Sequence, residues 1–384
     1  MASRLRAGLN EITGAVADLG VLVPLAAALI LVNGLDPSAV FVGAGLLVWF
    51  AGAVFRIPFP VQPLKALTAV AVARELGPDV IHAAGLEIAA FLLVLSIGRF
   101  ADVVSRAFTT TVVRALQFGV GILLLMSAVK LVLNPPEVFL GTPASPWPAL
   151  LGFGACLGLA YAARRRQYAI ALAMLVGGTI AVWFAAAPAF SGPTFTLPHI
   201  GLPHASSFAT AFVLLVIPQL PLTFGNAVVA VSDVAHGYFG ERASRVTPAR
   251  VCVTCGAGNV VSALIGGMPM CHGSGGLTAH VRMGARTAAM NAGLGAAFVV
   301  LGVFFAPQVT QVLGLLPVWA LAAFLAYAGL RHALLVSDLR GPALTLAVVA
   351  GGIGAVTGNL AITLALGLAI DHIALRRRRT KVPA

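Results

Sequence analysis

Apolar segments of about 20 residues, the length needed to cross a bilayer, follow one another through this sequence from residue 14 to residue 375 with only short charged breaks. Inside hydrocarbon an unpaired backbone N–H or C=O costs several kcal/mol, so the segments read as helices that satisfy their own backbone. With 59% of its 384 residues hydrophobic and 9% charged, the chain reads as a polytopic membrane protein and not as a soluble domain. No charged block or Ser/Gly-rich linker marks off a second unit, so residues 1–384 are expected to form one integral membrane unit. The start, MASRLRAGLNEITGAVADLG, lacks a small-residue cleavage pattern and reads as the retained beginning of the first span.

Between charges and turn residues, the candidate spans cover about 14–34, 38–55, 57–76, 80–98, 109–133, 147–163, 167–187, 207–232, 251–268, 269–283, 286–305, 308–331, 341–356 and 359–375, roughly fourteen in all. Threaded alternately from a cytoplasmic N-terminus, they place all 24 Lys and Arg residues except Lys65, Arg74 and Lys130 on the cytoplasmic side. The stretches 134–146 and 188–204, external in this threading, carry no Lys or Arg. A missed span would reverse every later loop, so the positive-inside bias supports the count and puts both termini in the cytoplasm, at the cell inner membrane if the source is bacterial. The formal net charge of +12 is therefore a topology signal, and no nucleic-acid partner is expected. The tail RRRRTK (376–381) completes that signal and can touch anionic lipid of the bilayer.

Two spans differ from the rest. RIPFPVQPLKALTAVAVA (56–73) places Pro58, Pro60 and Pro63 before it becomes helical, and GGMPMCHGSGGLTAHV (266–281) begins with Gly and Pro before it resumes. Each reads as an extended half followed by a half-helix, with Pro63 suited to a helix's first turn. They are third and tenth in the count, seven apart, the correspondence expected of seven spans repeated with inverted topology over about 9–190 and 205–376. The first and eighth spans correspond likewise, EITGAVADLGVLVPLA (11–26) with VIPQLPLTFGNAVVA (216–230). A helix broken at membrane depth survives only buried in protein or facing a watery cavity, and in secondary transporters such half-helix N-termini hold substrate at the midplane. Their free N–H groups and positive dipole ends suit an anion.

The candidate site residues follow from that geometry. Lys65, in the first turn of the first half-helix, is an anion ligand or charge-balancing group, with an ion pair to Asp18 or snorkelling as the structural alternative. Asp18 and Glu87 are intramembrane carboxylates that could carry a coupling proton or neutralise Lys65 or Arg114. Gln62, Gln219 and Asn226 are neutral hydrogen-bonders fit for an oxyanion or for contacts between helices. His272 could donate to substrate or serve the structure, and Ser274 could donate its hydroxyl or cap the half-helix. The backbone N–H groups of Gly273, Ser274 and Gly275 complete the set. Asp233 reads as interfacial. Cys156, Cys252, Cys255 and Cys271 lie in apolar surroundings and read as small buried hydrophobes. Cys252 and Cys255 are followed by no second Cys-x-x-Cys, so neither a disulfide framework nor a metal site is expected.

At these residues the chain resembles the molybdate transporter family, short relatives of the sulfate permeases that lack their cytoplasmic STAS domain. The resemblance rests on four motifs in register, NEITGAVADLGVLVPLA, PVQPLKALTAVA, IPQLPLTFGNAVVAV and GGMPMCHGSGGL. It implies an all-α fold of about fourteen spans in two inverted repeats of seven, with a core domain that moves against a gate domain and substrate held between the third and tenth spans. It implies uptake of molybdate, with sulfate as a close relative, no cofactor, and no enzymatic activity; proton symport is the coupling expected, and a homodimer is left open. The chain departs from the family pattern where Ala17 replaces a usual Gly, Met270 a usual Cys, Ser274 a usual Ala, and Ala227 a usual Ser.

Three rivals are weighed against this. An intramembrane hydrolase would need a base in reach of Ser274, yet His272 lies two positions away and on a helix faces elsewhere. A nucleobase carrier of the same fold would use carboxylates in the eighth and tenth spans, where this chain offers Gln219 and Asn226. A channel is separated from a carrier by whether uptake saturates.

Overall fold

The helices begin and end where the sequence punctuates them. In the computed structural model, which describes residues 10–15, 19–97, 109–135, 137, 139, 146–162, 177–184 and 192–379, Leu19–Leu31 forms α1 and Pro37–Phe55 forms α2. Asp36 caps α2 by accepting the Ala39 N–H at 2.7 Å, with Pro37 in the first turn. Two residues of strand, β1 (Gln62–Pro63), lead into the short helix α3 (Lys65–Ala73), followed by α4 (Pro78–Leu95), α5 (Thr110–Leu133) and α6 (Pro146–Ala162). A continuous helical rod, α7, runs over Ala205–Ala243. Then come α8 (Pro248–Leu264), strand β2 (Met270–Cys271), the short helix α9 (Ser274–Arg282), α10 (Ala289–Phe304), α11 (Ala306–Gly314), α12 (Val318–Ala333), α13 (Gly341–Thr357) and α14 (Leu360–Arg379).

Among the described residues five helices are long and apolar enough to cross a membrane, or six if the bent pair α10 and α11 counts as one. The protein is thus a multi-pass membrane protein, and its helices sort into two packing groups. In one, α2 lies along α10, and α8 lies along both α2 and α4; in the other, α5 is flanked by α12, α13 and α14, with α6 against α12. Lipid tails are as apolar as Leu, so helix association in a bilayer depends on close backbone approach at small residues. Both groups use it. A Cβ on Gly45 would lie 2.7 Å from the Gly295 carbonyl oxygen across the α2–α10 contact, and one on Gly121 would lie 2.5 Å from the Gly329 oxygen across α5–α12.

Two apolar runs fold differently from their reading in sequence. The run 308–331 reads as a single span, but it divides into α11 and α12, and α11 turns 96° away from α10. Pro317, which disfavours helical backbone at the residue before it, divides α11 from α12, and the bend from α10 falls at Phe305, which leaves helical backbone with φ −133°, just ahead of Pro307 in the first turn of α11. The run 207–232 extends into the longer rod α7, which widens into π-helical turns at Phe212–Val216 and Thr223–Ala230. Pro218 and Pro221 lie between them, and the wide turns accommodate the backbone bonds that a proline ring cannot make.

Replacing Gly121 by Val is expected to push α5 off α12 and to destabilise the protein by about 1–3 kcal/mol, read as a lower thermal unfolding midpoint in detergent. Gly154→Ala, where a new Cβ meets nothing within 4 Å, should leave the midpoint unchanged.

Candidate substrate site

The extended halves that precede α3 and α9 pair with each other. Gln62 faces Cys271 and Pro63 faces Met270 in an antiparallel ladder, and the Leu64 N–H donates to the Pro269 oxygen at 3.1 Å. Two residues of ladder cannot satisfy so much exposed backbone; two buried asparagines complete it. Asn291, on α10, accepts from the Phe59 N–H at 2.9 Å and returns its amide to the Phe59 oxygen at 2.7 Å. Asn259, on α8, does the same for Met270, accepting from its N–H and donating to its oxygen, both at 2.7 Å. Cys255 adds its thiol to the same oxygen at 3.3 Å, and Ser262 donates to the Met268 oxygen at 2.7 Å.

This pairing sets the first turns of α3 and α9 beside one another. Neither half-helix has a side-chain cap: Leu64 and Gly273 stand at the N-cap positions and offer none. The first-turn N–H groups of a helix lack partners within it, and here one is claimed by a neighbouring helix, since Gln219 accepts the Leu67 N–H at 3.0 Å. Gln219 in turn donates to the Thr223 hydroxyl at 3.0 Å. On the α9 side the Ser274 hydroxyl donates to Asn226 Oδ1 at 2.6 Å. Gly273 is enclosed, a Cβ there lying 3.0 Å from Gln62 Oε1 and 3.6 Å from Asn226 Nδ2, whereas Gly275 is exposed and opens on free space.

Gln62, Asn226, Gly273, Ser274 and Gly275 therefore gather at one place, with Lys65 half-buried at the first position of α3. His272 does not join them. Its ring is fully buried against Phe55 and Phe59, with Nδ1 bonded to the Pro60 oxygen at 2.8 Å and Nε2 to the Thr254 hydroxyl at 2.9 Å. It joins the two broken segments to α8, and both nitrogens are occupied. Gln219 likewise spends its amide on α3 and Thr223. Glu87 lies on α4, which packs mainly on α8, and its Oε2 is buried with no hydrogen-bond partner among the described residues. Asp18 falls outside the described residues. Cys252, Cys255 and Cys271 are free and buried, and among the described residues no group of three or more His, Cys, Asp or Glu is arranged to hold a metal ion.

The sequence reading missed Asn259, Asn291, Thr254 and His332, the last of which lies within electrostatic reach of Lys65. A lone Asn in an apolar span was the available signal for the first two. Nothing local distinguishes them from other polar residues in spans until the broken backbone they serve is known.

Residues 10–124 and 211–331 match the family profile described as "Molybdate transporter of MFS superfamily". The chain is 29% identical over 371 residues to molybdate transporter 1 of Arabidopsis thaliana, covering 87% of this chain and 81% of that protein. It is 26% identical over 446 residues to molybdate transporter 1 of Chlamydomonas reinhardtii, covering 87% and 85%. Among solved structures it is similar to the transmembrane domain of the cyanobacterium bicarbonate transporter BicA, with a TM-score of 0.66 at 18% identity over 93% of this chain and 97% of that one. Murine Slc26a9, an anion transporter in its inward-facing state, gives a TM-score of 0.64 at 13% identity over 96% and 68%. At such identities the likeness is one of fold.

Asn291→Ala should strand the buried N–H and C=O of Phe59, and Asn259→Ala the buried N–H of Met270 while leaving its C=O only the weak Cys255 thiol donor, losses of about 2–5 kcal/mol. The expected result is a clear drop in thermal midpoint for both variants, larger than for Thr310→Ala, whose hydroxyl makes one bond at 3.4 Å on α11.

Proposed function

Because the chain belongs to the molybdate transporter family, a family of anion transporters and not of enzymes, we propose that it takes up molybdate and holds it between the first turns of α3 and α9. The observation that carries this reading is the antiparallel pairing of β1 with β2, which brings two uncapped half-helix starts together. Each helix N-terminus is worth roughly half a positive charge, so with Lys65 the place carries about two, a match for a dianion. Lys65 itself supports the reading. A cation in a helix's first turn opposes the dipole, a local conflict that a bound anion removes.

Donor chemistry supports the same substrate class. The Ser274 hydroxyl proton lies on Asn226 Oδ1, which leaves Asn226 to present its amide donors, and the backbone groups and Lys65 are donors too. A fully deprotonated tetrahedral oxyanion brings only acceptors. A protonated anion or a nucleobase brings an N–H or O–H that needs an acceptor, and the acceptors to hand are few, Gln62 Oε1 and the Ser274 hydroxyl oxygen. Sulfate shares molybdate's shape and charge and is the competitor to test. In this reading the protein is a carrier of about fourteen spans in two inverted repeats, the α2, α4, α8 and α10 group moving as a core against the α5, α12, α13 and α14 group as a gate. Coupling to protons is the companion proposal, carried by Asp18 or by Glu87, whose buried oxygen has no partner among the described residues.

Purified protein should bind molybdate, with sulfate displacing it less well and uracil not at all. Lys65→Ala should weaken binding by about 1.5–3 kcal/mol, roughly 10- to 100-fold in Kd. Ser274→Ala, which frees the Asn226 amide to turn, should weaken it by about 0.5–1.5 kcal/mol. Uracil binding, or no oxyanion binding by the intact chain, would overturn the substrate. In vesicles an inwardly directed proton gradient should speed uptake and either Asp18→Asn or Glu87→Gln should abolish that response; uptake indifferent to the gradient would sink the coupling.

A further inference from the structure

Of the three basic residues that the topology leaves off the cytoplasmic side, Lys65 belongs to the proposed site, and Arg74 and Lys130 remain. Both lie where helix C-termini converge. Arg74 ends α3 and reaches to the end of α13, donating from Nε to the Gly358 oxygen at 2.8 Å and from Nη2 to the Thr357 oxygen at 2.5 Å. Those are terminal carbonyls of a helix, unsatisfied within it and at the negative end of its dipole. Gly358 is left-handed with φ 62°, and a Cβ there would lie 2.9 Å from Arg74 Nε, so the approach needs glycine twice over. Lys130, in the last turn of α5, pairs with Glu75.

Glu75 is unusual. The turn that ends α3 returns the Glu75 N–H to the Val72 oxygen and the Leu76 N–H to the Ala71 oxygen, the Schellman arrangement whose left-handed position normally takes glycine. Glu75 occupies it at φ 51°, and with Arg56 it is one of two non-glycine residues at positive φ among the described residues. The backbone gains nothing from a Glu there; the side chain gains Lys130. Asn33 braces the turn by donating to the Ala71 oxygen at 2.8 Å and the Leu76 oxygen at 2.9 Å. Beneath the ion pair lies a cavity of about 50 Å³ lined by Glu75, Lys130 and Ser127, whose buried hydroxyl has no partner among the described residues.

We propose that Arg74 and Glu75 form a latch that ties the far end of half-helix α3 to α13 and α5 and so closes the protein on the side that the charge bias assigns to the outside. The proposal rests on the reading that the other end of α3 holds the anion. If it does, α3 has to move relative to α5 and α13 for substrate to reach both faces in turn, and these contacts are the charged ties that such a movement breaks. The pair is half exposed, with 58% of the Glu75 side chain and 54% of the Lys130 side chain accessible. It is therefore weak enough to open in each cycle.

The test uses the full chain in membranes and a membrane-impermeant maleimide applied from outside. Ser127→Cys places a thiol beneath the latch in a chain that also carries Cys156→Ala, and the Cys156→Ala chain without it, whose Cys252, Cys255 and Cys271 are buried, supplies the blank. Labelling should be slow with the latch intact, about fivefold faster with Glu75→Gln, and about tenfold faster with Arg74→Gln, which loses two charge-assisted bonds. Glu75→Gly separates a latch from a mere stabiliser: it relieves the left-handed backbone, so a structural role predicts slow labelling and the latch predicts fast. The exchange Glu75→Lys with Lys130→Glu should restore slow labelling. Equal rates in Glu75→Gly and the parent, with molybdate binding retained, would overturn the latch and leave the substrate reading intact. Fast labelling in Glu75→Gly, in a protein that binds no molybdate, would uphold the latch and overturn the substrate reading.

Discussion

An unpaired peptide group in hydrocarbon costs several kcal/mol, and the rest of this protein depends on how two broken helices avoid that cost. The solution is mutual. The extended segments before α3 and α9 pair with each other over two residues, and a buried asparagine from α10 and another from α8 then clasp one residue of each segment through both its N–H and its C=O. A primary amide is the side chain suited to this, because it alone offers a donor and an acceptor side by side without charge. His272 adds a third tie between the same segments and α8. Part of the backbone at the breaks is thereby paired from outside, and the starts of α3 and α9 carry no side-chain cap, although Gln219 takes the Leu67 N–H.

The same helix ends explain where the charges go. Half-helix α3 has Lys65 at its start, against the preference of the dipole, and Arg74 at its finish, reaching to the end of another helix. The first placement is a conflict that calls for an anion and the second is a match that stabilises a contact. Nine residues of helix thus join the proposed substrate site to the proposed latch. A rigid element with a site at one end and a breakable tie at the other would suit the rigid-body movement of alternating access.

Much of this was legible in the chain. Pro58, Pro60 and Pro63, and the glycines from 266 to 276, announce the two breaks because prolines and glycines clustered so closely strongly disfavour helix, whereas an isolated one such as Pro24 in α1 is accommodated. Lys65 stood out as a cation too deep to serve topology. The side chains fared less well. His272 sits beside the second break in sequence and reads as a ligand, but its direction is set by Phe55, Phe59, Pro60 and Thr254, which come from other parts of the chain. Gln219 reads as an oxyanion donor and is engaged by the Leu67 N–H. The run 308–331 looked continuous because hydropathy does not register the single proline that divides it.

By itself the sequence determined that the chain lives in a bilayer, where its two half-helices are interrupted, and which family it belongs to, because those properties are carried by hydropathy, by local backbone chemistry and by contiguous motifs. The tertiary structure alone decided which polar side chains are consumed by the scaffold and which face the site. It decided, too, that Glu75 meets Lys130 and that Arg74 meets the end of α13. A polar group in hydrocarbon bonds to whatever partner packing delivers, and those partners lie 55 and 284 residues away in the chain.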